Sequence, residues 1–178
     1  TSYTNITACD SAVWNGTTYT QSGTYSNNAG GSNNYCMYFD GNDDKVNLNT
    51  TISDLSINNT SFSISVDVNA LVFGSNNSED ILIGTEMSGG NSDNGFKVQV
   101  GTSNNFGAAV GGVGNNDTYH LNGSPKSTNQ WYNVTIVVDR VNNTFYLYVD
   151  GILEDQISIT NLNSSIGTNL PIEFGYYY

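Results

Sequence analysis

Apolar and polar side chains alternate with a period of two through most of this chain, interrupted by turns rich in Asn, Gly and Asp. Phe62, Ile64, Val66 and Val68 alternate with Ser63, Ser65, Asp67 and Asn69, the pattern of a strand with one face in a core and the other in water. Tyr132, Val134, Ile136 and Val138 alternate with Asn133, Thr135 and Val137 in the same way, and Phe145, Leu147 and Val149 alternate with Tyr146 and Tyr148. Between these last two strands, Asp139-Arg140-Val141-Asn142-Asn143 is a five-residue turn suited to a hairpin. Shorter strands are predicted at Cys36–Phe39, Ile81–Gly84, Phe96–Val100, Phe106–Val110, Ile157–Ile159 and Ile172–Phe174. No segment holds a 3.6-residue period, so the fold class is all-β. About ten short strands must close or stack as sheets, because a lone antiparallel sheet leaves a face and its edges bare. The expected architecture is an antiparallel two-sheet jelly-roll sandwich over residues 35–178.

Residues 1–34 follow a different pattern. Trp14-Asn15-Gly16-Thr17-Thr18-Tyr19-Thr20 is followed by Ser22-Gly23-Thr24-Tyr25-Ser26, a hairpin-like echo without a strong core face. This region is expected to be an appendage, tied to the sandwich by a disulfide between Cys9 and Cys36. Those are the only cysteines, and an even count outside the cytosol suggests pairing. The loop closed would span about 28 residues, for which chain entropy gives about 3–4 kcal/mol. Two buried free thiols are the alternative.

Charge narrows the partners. Four basic residues (Lys45, Lys97, Lys126, Arg140) stand against sixteen acidic ones, for a net −12. A phosphate backbone would be repelled, which excludes nucleic acid, and anionic membrane surfaces are disfavoured for the same reason. Metal cations remain compatible. No apolar run approaches the roughly 20 residues needed to cross a bilayer, so no direct membrane insertion is expected. The first residues, Thr1-Ser2-Tyr3, carry no basic and apolar leader, as expected if a signal peptide is cleaved or lies outside this sequence. An Asn/Thr-rich, lysine-poor surface fits an extracellular protein, secreted or on the cell surface.

Met37-Tyr38-Phe39-Asp40-Gly41-Asn42-Asp43-Asp44-Lys45-Val46 resembles the opening strand and turn of laminin G-like domains of the concanavalin A-like kind, and Ser61-Phe62-Ser63-Ile64-Ser65-Val66 resembles their next strand. The pair Gln130-Trp131-Tyr132-Asn133-Val134-Thr135-Ile136-Val137-Val138-Asp139 and Phe145-Tyr146-Leu147-Tyr148-Val149-Asp150-Gly151 resembles their Trp-led central strand and the strand after it. Pro171-Ile172-Glu173-Phe174-Gly175 is similar to a later strand. The resemblance runs from Tyr35 to Gly175. It departs in one respect, because a closing strand of the form Phe-x-Gly-x-Ile-Asp-x-Val does not follow, so the sandwich is expected to be one strand short. The N-terminal segment resembles repeats of large bacterial surface adhesins. The resemblance implies recognition of glycans or proteins, often with a calcium ion.

Candidate chemistry follows from single side chains. Asp40, Asn42, Asp43 and Asp44 concentrate oxygens in one turn, and calcium takes six to eight hard oxygens; an acidic turn capping a strand is the alternative. Glycan contacts are expected from Tyr146 and Tyr148 beside Asn133 and Thr135, and from Tyr119 and His120 in a loop. Asn5, Asn15, Asn59, Asn76, Asn116 and Asn142 are candidate glycosylation sites, and Asn49, Asn58, Asn122, Asn133 and Asn163 also begin Asn-x-Ser/Thr. A glucanase of this architecture needs paired carboxylates, yet only Glu79, Glu86, Glu154 and Glu173 are present, with no two at that spacing on one strand. No Gly-x-Ser-x-Gly turn accompanies His120. The chain is therefore expected to be a non-catalytic adhesion module binding glycan or surface protein with calcium. The rival is a subunit of an extracellular filament or sheath, in which copies complete one another's sheets; the missing strand is expected from the chain's own residues 1–34, from residues beyond Tyr178, or from a neighbouring molecule, with residues 1–34 a suitable donor. Glycoside hydrolysis is a distant third.

Overall fold

The computed structural model describes residues 12–14, 17–19, 36–40, 44–73, 80–85, 94–113, 118–162, 165–167, 169 and 171–177. The chain divides into two compact units, Thr1–Tyr38 and Phe39–Tyr178. In the first, β1 (Ala12–Trp14) pairs antiparallel with β2 (Thr17–Tyr19). Asn-Gly, the dipeptide most suited to a two-residue hairpin, separates them in the sequence.

The second unit is the expected sandwich. Its six-stranded sheet runs β3 (Val46–Thr51), β12 (Pro171–Tyr177), β5 (Asp80–Thr85), β6 (Gly95–Val100), β7 (Phe106–Gly111), β8 (Thr118–Asn122). Its four-stranded sheet runs β11 (Ile152–Ser158), β10 (Thr144–Val149), β9 (Trp131–Asp139), β4 (Phe62–Asn69). Every neighbouring pair is antiparallel. The strict alternation of β9 and β10 does what period two requires: Val134, Ile136, Val138, Phe145 and Leu147 are fully buried and their neighbours are not. Each such buried side chain contributes about 1.5–3 kcal/mol. Aromatic rings join the sheets, with Phe62 of β4 5.7 Å from Phe96 of β6 and Tyr132 of β9 5.5 Å from Phe106 of β7.

Those ring contacts set the four-stranded sheet over β6, β7 and β8, so β5, β12 and β3 extend beyond β4. The two long sides therefore differ. On one, β8 lies against β11 and polar groups tie them together. The Asn122 amide donates to Asp155 Oδ2 at 2.9 Å, and Glu154 Oε2 accepts from the Ser124 amide (2.8 Å) and hydroxyl (2.6 Å). Lys126 Nζ donates to Glu154 Oε1 at 2.8 Å. Burial alone would raise the Glu154 carboxyl, but the Lys126 and Ser124 bonds outweigh it and bring its pKa down to about 2. On the other side β4 pairs with β9 alone among the described strands. Its inward Phe62, Ile64, Val66 and Val68 are only partly buried, and Val46 (38%) and Leu48 (42%) of β3 are exposed. One end of the sandwich is filled from irregular segments, which place Ile52, Leu162 and Ile166 in the core. Arg140 holds them by donating to the carbonyls of Leu162 (2.7 Å) and Asn58 (3.3 Å).

The structure corrects three strand expectations. Residues 36–40 carry no strand, and the sheet begins instead at Val46. Phe39 lies on Gly175, whose φ of 68° and missing Cβ make room for the ring. Tyr119 and His120 are in strand β8 and not in a loop. β11 begins at Ile152 and ends at Ser158, so it is longer than Ile157–Ile159. Opposite Leu147 and Tyr148 the register shifts past Glu154, and this extra residue breaks the alternation along β11 by which a strand is read.

Candidate functional site

Outward side chains of the four-stranded sheet form an open polar face with an aromatic pair at its centre. Register fixes the rows: Asp67 opposite Asn133; Ser65 opposite Thr135, itself opposite Tyr148; Ser63 opposite Val137, itself opposite Tyr146. Tyr146 and Tyr148 are two residues apart on β10, so both point outward, with ring centroids 6.0 Å apart and planes at 30°.

Beside the rings, Asn133 organises a hydrogen-bond network across three elements. Its Nδ2 donates to Ser65 Oγ at 2.9 Å and to Asp67 Oδ1 at 2.8 Å. Thr135 Oγ1 donates to Ser65 Oγ at 2.8 Å and lies 3.0 Å from Asn133 Oδ1. The Asn133 amide donates to Asp150 Oδ1 at 2.8 Å. Asp150 and Gly151 form the two-residue turn from β10 to β11, both with positive φ (52° and 75°) as such a turn demands. The Asp150 amide returns a bond to Asn133 O at 2.8 Å, which fixes the carboxylate at the end of the face. Trp131, first in β9 and 54% exposed, stands at that end too. At the opposite end is a shallow depression of about 500 Å³, lined by Ser61, Ser63, Val137, Asp139 and Val141 among others. Asp139 is occupied by its own turn. Bonds from the Asn142 amide and side chain, and from the Val141 amide, hold its carboxyl below the usual range.

Of the side chains expected to meet a ligand, the structure brings Tyr146, Tyr148 and Asn133 together on this face. Tyr119 and His120 belong to the other sheet, where Tyr119 packs against the core and His120 is exposed opposite Ala109. Ser65, Asp67 and Asp150 complete the site without having been singled out as ligands. Their signal was the alternation Ser63, Ser65, Asp67 on the wet side of β4, which means little until pairing sets it beside Asn133.

The Asp40–Asp44 turn is described only in part, since Asn42 and Asp43 lie outside the described residues. Asp44 Oδ2 accepts the Asp40 amide at 3.0 Å. Among the described residues no three His, Cys, Asp or Glu side chains converge as a metal cage. Cys36 is exposed as a free thiol, and Cys9 lies outside the described residues. Asn59 and Asn142 are exposed, whereas Asn5, Asn15, Asn76 and Asn116 lie outside the described residues. Glu154 and Glu173 are on different sheets, Glu154 in the β8–β11 tie and Glu173 bonded to Asn47 at 3.0 Å. Glu79 and Glu86 lie outside the described residues.

A family profile described as the concanavalin A-like lectin/glucanases superfamily matches residues 40–177. Three solved structures share the fold. One is the CBM40 of a Ruminococcus gnavus IT-sialidase bound to α2,3-sialyllactose, at 14% identity over 68% of this chain and 67% of that one, with a TM-score of 0.54. Another is the binding domain of Paraclostridial Mosquitocidal Protein 1, at 22% identity over 67% and 31%, with a TM-score of 0.51. The third is the binding domain of botulinum neurotoxin serotype D, at 24% identity over 74% and 31%, with a TM-score of 0.51. In the two toxin proteins the match spans less than a third of the domain structure. No curated protein sequence matches.

Proposed function

The chain belongs to the concanavalin A-like lectin/glucanases superfamily, and we propose that it is a non-catalytic extracellular module that binds glycan on the outer face of its four-stranded sheet. One observation carries the reading: the stacked pair Tyr146–Tyr148 stands half-buried on the outer face beside an Asn133–Ser65–Asp67–Thr135 network. A sugar ring has an apolar C–H face and a rim of hydroxyls, which matches aromatic surface flanked by fixed polar groups. Hydrolysis is disfavoured because a glycosidase sets two carboxyls across a bound sugar, and Asp67 and Asp150 stand instead on an open face, each engaged by Asn133. The carbohydrate-binding module and toxin binding domains that share the fold are consistent with recognition, in line with a secreted or surface setting. Calcium assistance at the Asp40–Asp44 turn is part of the proposal and rests on the oxygen-rich sequence Asp40, Asn42, Asp43, Asp44.

The test is a glycan array followed by titration with the strongest hit, run in millimolar calcium and again in EDTA. The Tyr146→Ala/Tyr148→Ala variant should bind about tenfold more weakly or worse while keeping its melting temperature within a few degrees. Binding by the variant equal to the parent would remove this face as the site, and identical curves in calcium and EDTA would remove the metal.

A second reading, assembly of copies into a filament or sheath by strand addition, is favoured by β4, whose outer edge has no strand beside it among the described residues and whose inward side chains are half-buried. Sedimentation over a hundredfold concentration range should then show mass rising with concentration. A constant monomer mass would end this reading.

A further inference from the structure

We infer that the ligand of this face is an uncharged, hydroxyl-rich saccharide, and that acidic sugars such as sialic and uronic acids are rejected; the inference rests on the glycan-binding reading above. Two independent features of the face lead there.

The first is the direction of its hydrogen bonds. The amide hydrogens of Asn133 are taken by Ser65 and Asp67, and the Thr135 hydroxyl by Ser65. The Ser65 hydroxyl has Asn133 Oδ1 within 3.2 Å. The side-chain donors nearest the tyrosines are therefore satisfied internally. What the network keeps for a newcomer is acceptor capacity. Asp67 and Asp150 each accept one bond on Oδ1, while a carboxylate offers about four lone-pair positions. The phenol hydroxyls of Tyr146 and Tyr148 can either donate or accept, but a ligand that engages the network must donate to these carboxylates. Sugar hydroxyls do so, and a sugar carboxylate, which only accepts, does not.

The second is the placement of positive charge. The chain has four cationic side chains. Lys45 bonds Glu173 at 3.5 Å on the six-stranded sheet, and Lys97 is in β6 of the same sheet. Lys126 is held by Glu154 in the β8–β11 tie, and the Arg140 guanidinium is committed to the carbonyls of Leu162 and Asn58. None stands in the rows that carry Tyr146, Tyr148, Asn133, Ser65 and Asp67. A bound sugar carboxylate would meet the charges of Asp67 and Asp150 with no cation to pair it, in a molecule of net charge −12. Sharing a fold with a domain that holds sialyllactose thus does not carry the same ligand class, since fold and site vary separately.

Matched ligands test this directly. The purified chain is titrated, in millimolar calcium and again in EDTA, each at low and high salt, with unmodified and carboxymethylated forms of the same glucan, mannan and galactan, and with lactose and sialyllactose. The expected result is that binding falls among the unmodified forms, each acidic counterpart is at least tenfold weaker, and the gap narrows as salt rises. The double variant Asp67→Asn/Asp150→Asn should weaken the unmodified form, since it removes acceptors that form uses, and should narrow its ratio to the acidic form at low salt, since it also removes the opposing charge. Tighter binding of any acidic form than of its unmodified partner overturns the inference and leaves glycan recognition standing. Absence of binding to every member overturns the glycan reading and this inference with it.

Discussion

The two long sides of the sandwich solve the same problem with different means. Where β8 meets β11, the sheet edges are tied by Glu154, Lys126, Ser124, Asp155 and Asn122, and Leu121 and Leu147 behind them are buried, although Ile152, Leu153 and Ile157 of β11 itself are exposed. Along β4, the inward Phe62, Ile64, Val66 and Val68 carry the same alternation as β9 but reach only partial burial. Alternation therefore specifies which face turns inward, not how much water is removed there. That depends on whether the opposing sheet and a neighbouring strand extend far enough, and at β4 the neighbour is missing among the described strands. Ile64 and Ile136 make the point within one pair, because they are directly opposite across β4 and β9, and only Ile136 is fully buried.

The largest expected effect comes from breaking that pair from each end. Ile136→Ala should cost about 4 kcal/mol, since it opens a cavity among fully buried neighbours. Ile64→Ala should cost about half as much, because water already reaches part of its site. Chemical denaturation of the two variants checks this, and equal losses would mean that β4 is as well covered as β9.

A smaller effect, of about 1–2 kcal/mol, is expected from Glu154→Gln on the tied side, where charge-assisted hydrogen bonds are partly screened by solvent. Its pH dependence has a definite sign. The folded pKa of Glu154, about 2, is below its unfolded value, so its contribution is complete above the ordinary glutamate range and is lost as pH falls through about 2. The parent should lose stability relative to the variant between about pH 4.5 and 2, with little difference in slope near neutrality. Parallel curves across that window would show that the tie contributes nothing.

Much of the architecture was legible because β9 and β10 alternate without a break, as did the turn whose Asp139 caps Val141 and Asn142. β8 was less visible: it is an edge strand with Leu121 as its only fully buried side chain, so Tyr119 and His120 looked like loop. The binding face was legible in halves. Tyr146 and Tyr148 stood out on the wet side of their strand, but Ser65 is 68 residues from Asn133 in sequence. Only the register of β4 on β9 brings those two together, and a shift of one residue would have turned the same side chains into the core.

The position of β12 bears on how the molecule is made. It lies between β3 and β5, so Val46 finds its partner only in Phe174, far along the chain. As the chain emerges from the ribosome, β5 to β8 can form a meander at once, and β9 to β11 can follow as they appear. β3 has to wait unpaired until nearly the whole unit has been synthesised. Such distant pairing slows folding, and an exposed strand edge during the wait invites wrong partners. The step expected to be slowest in the birth of this molecule is thus the late insertion of one strand between two that precede it.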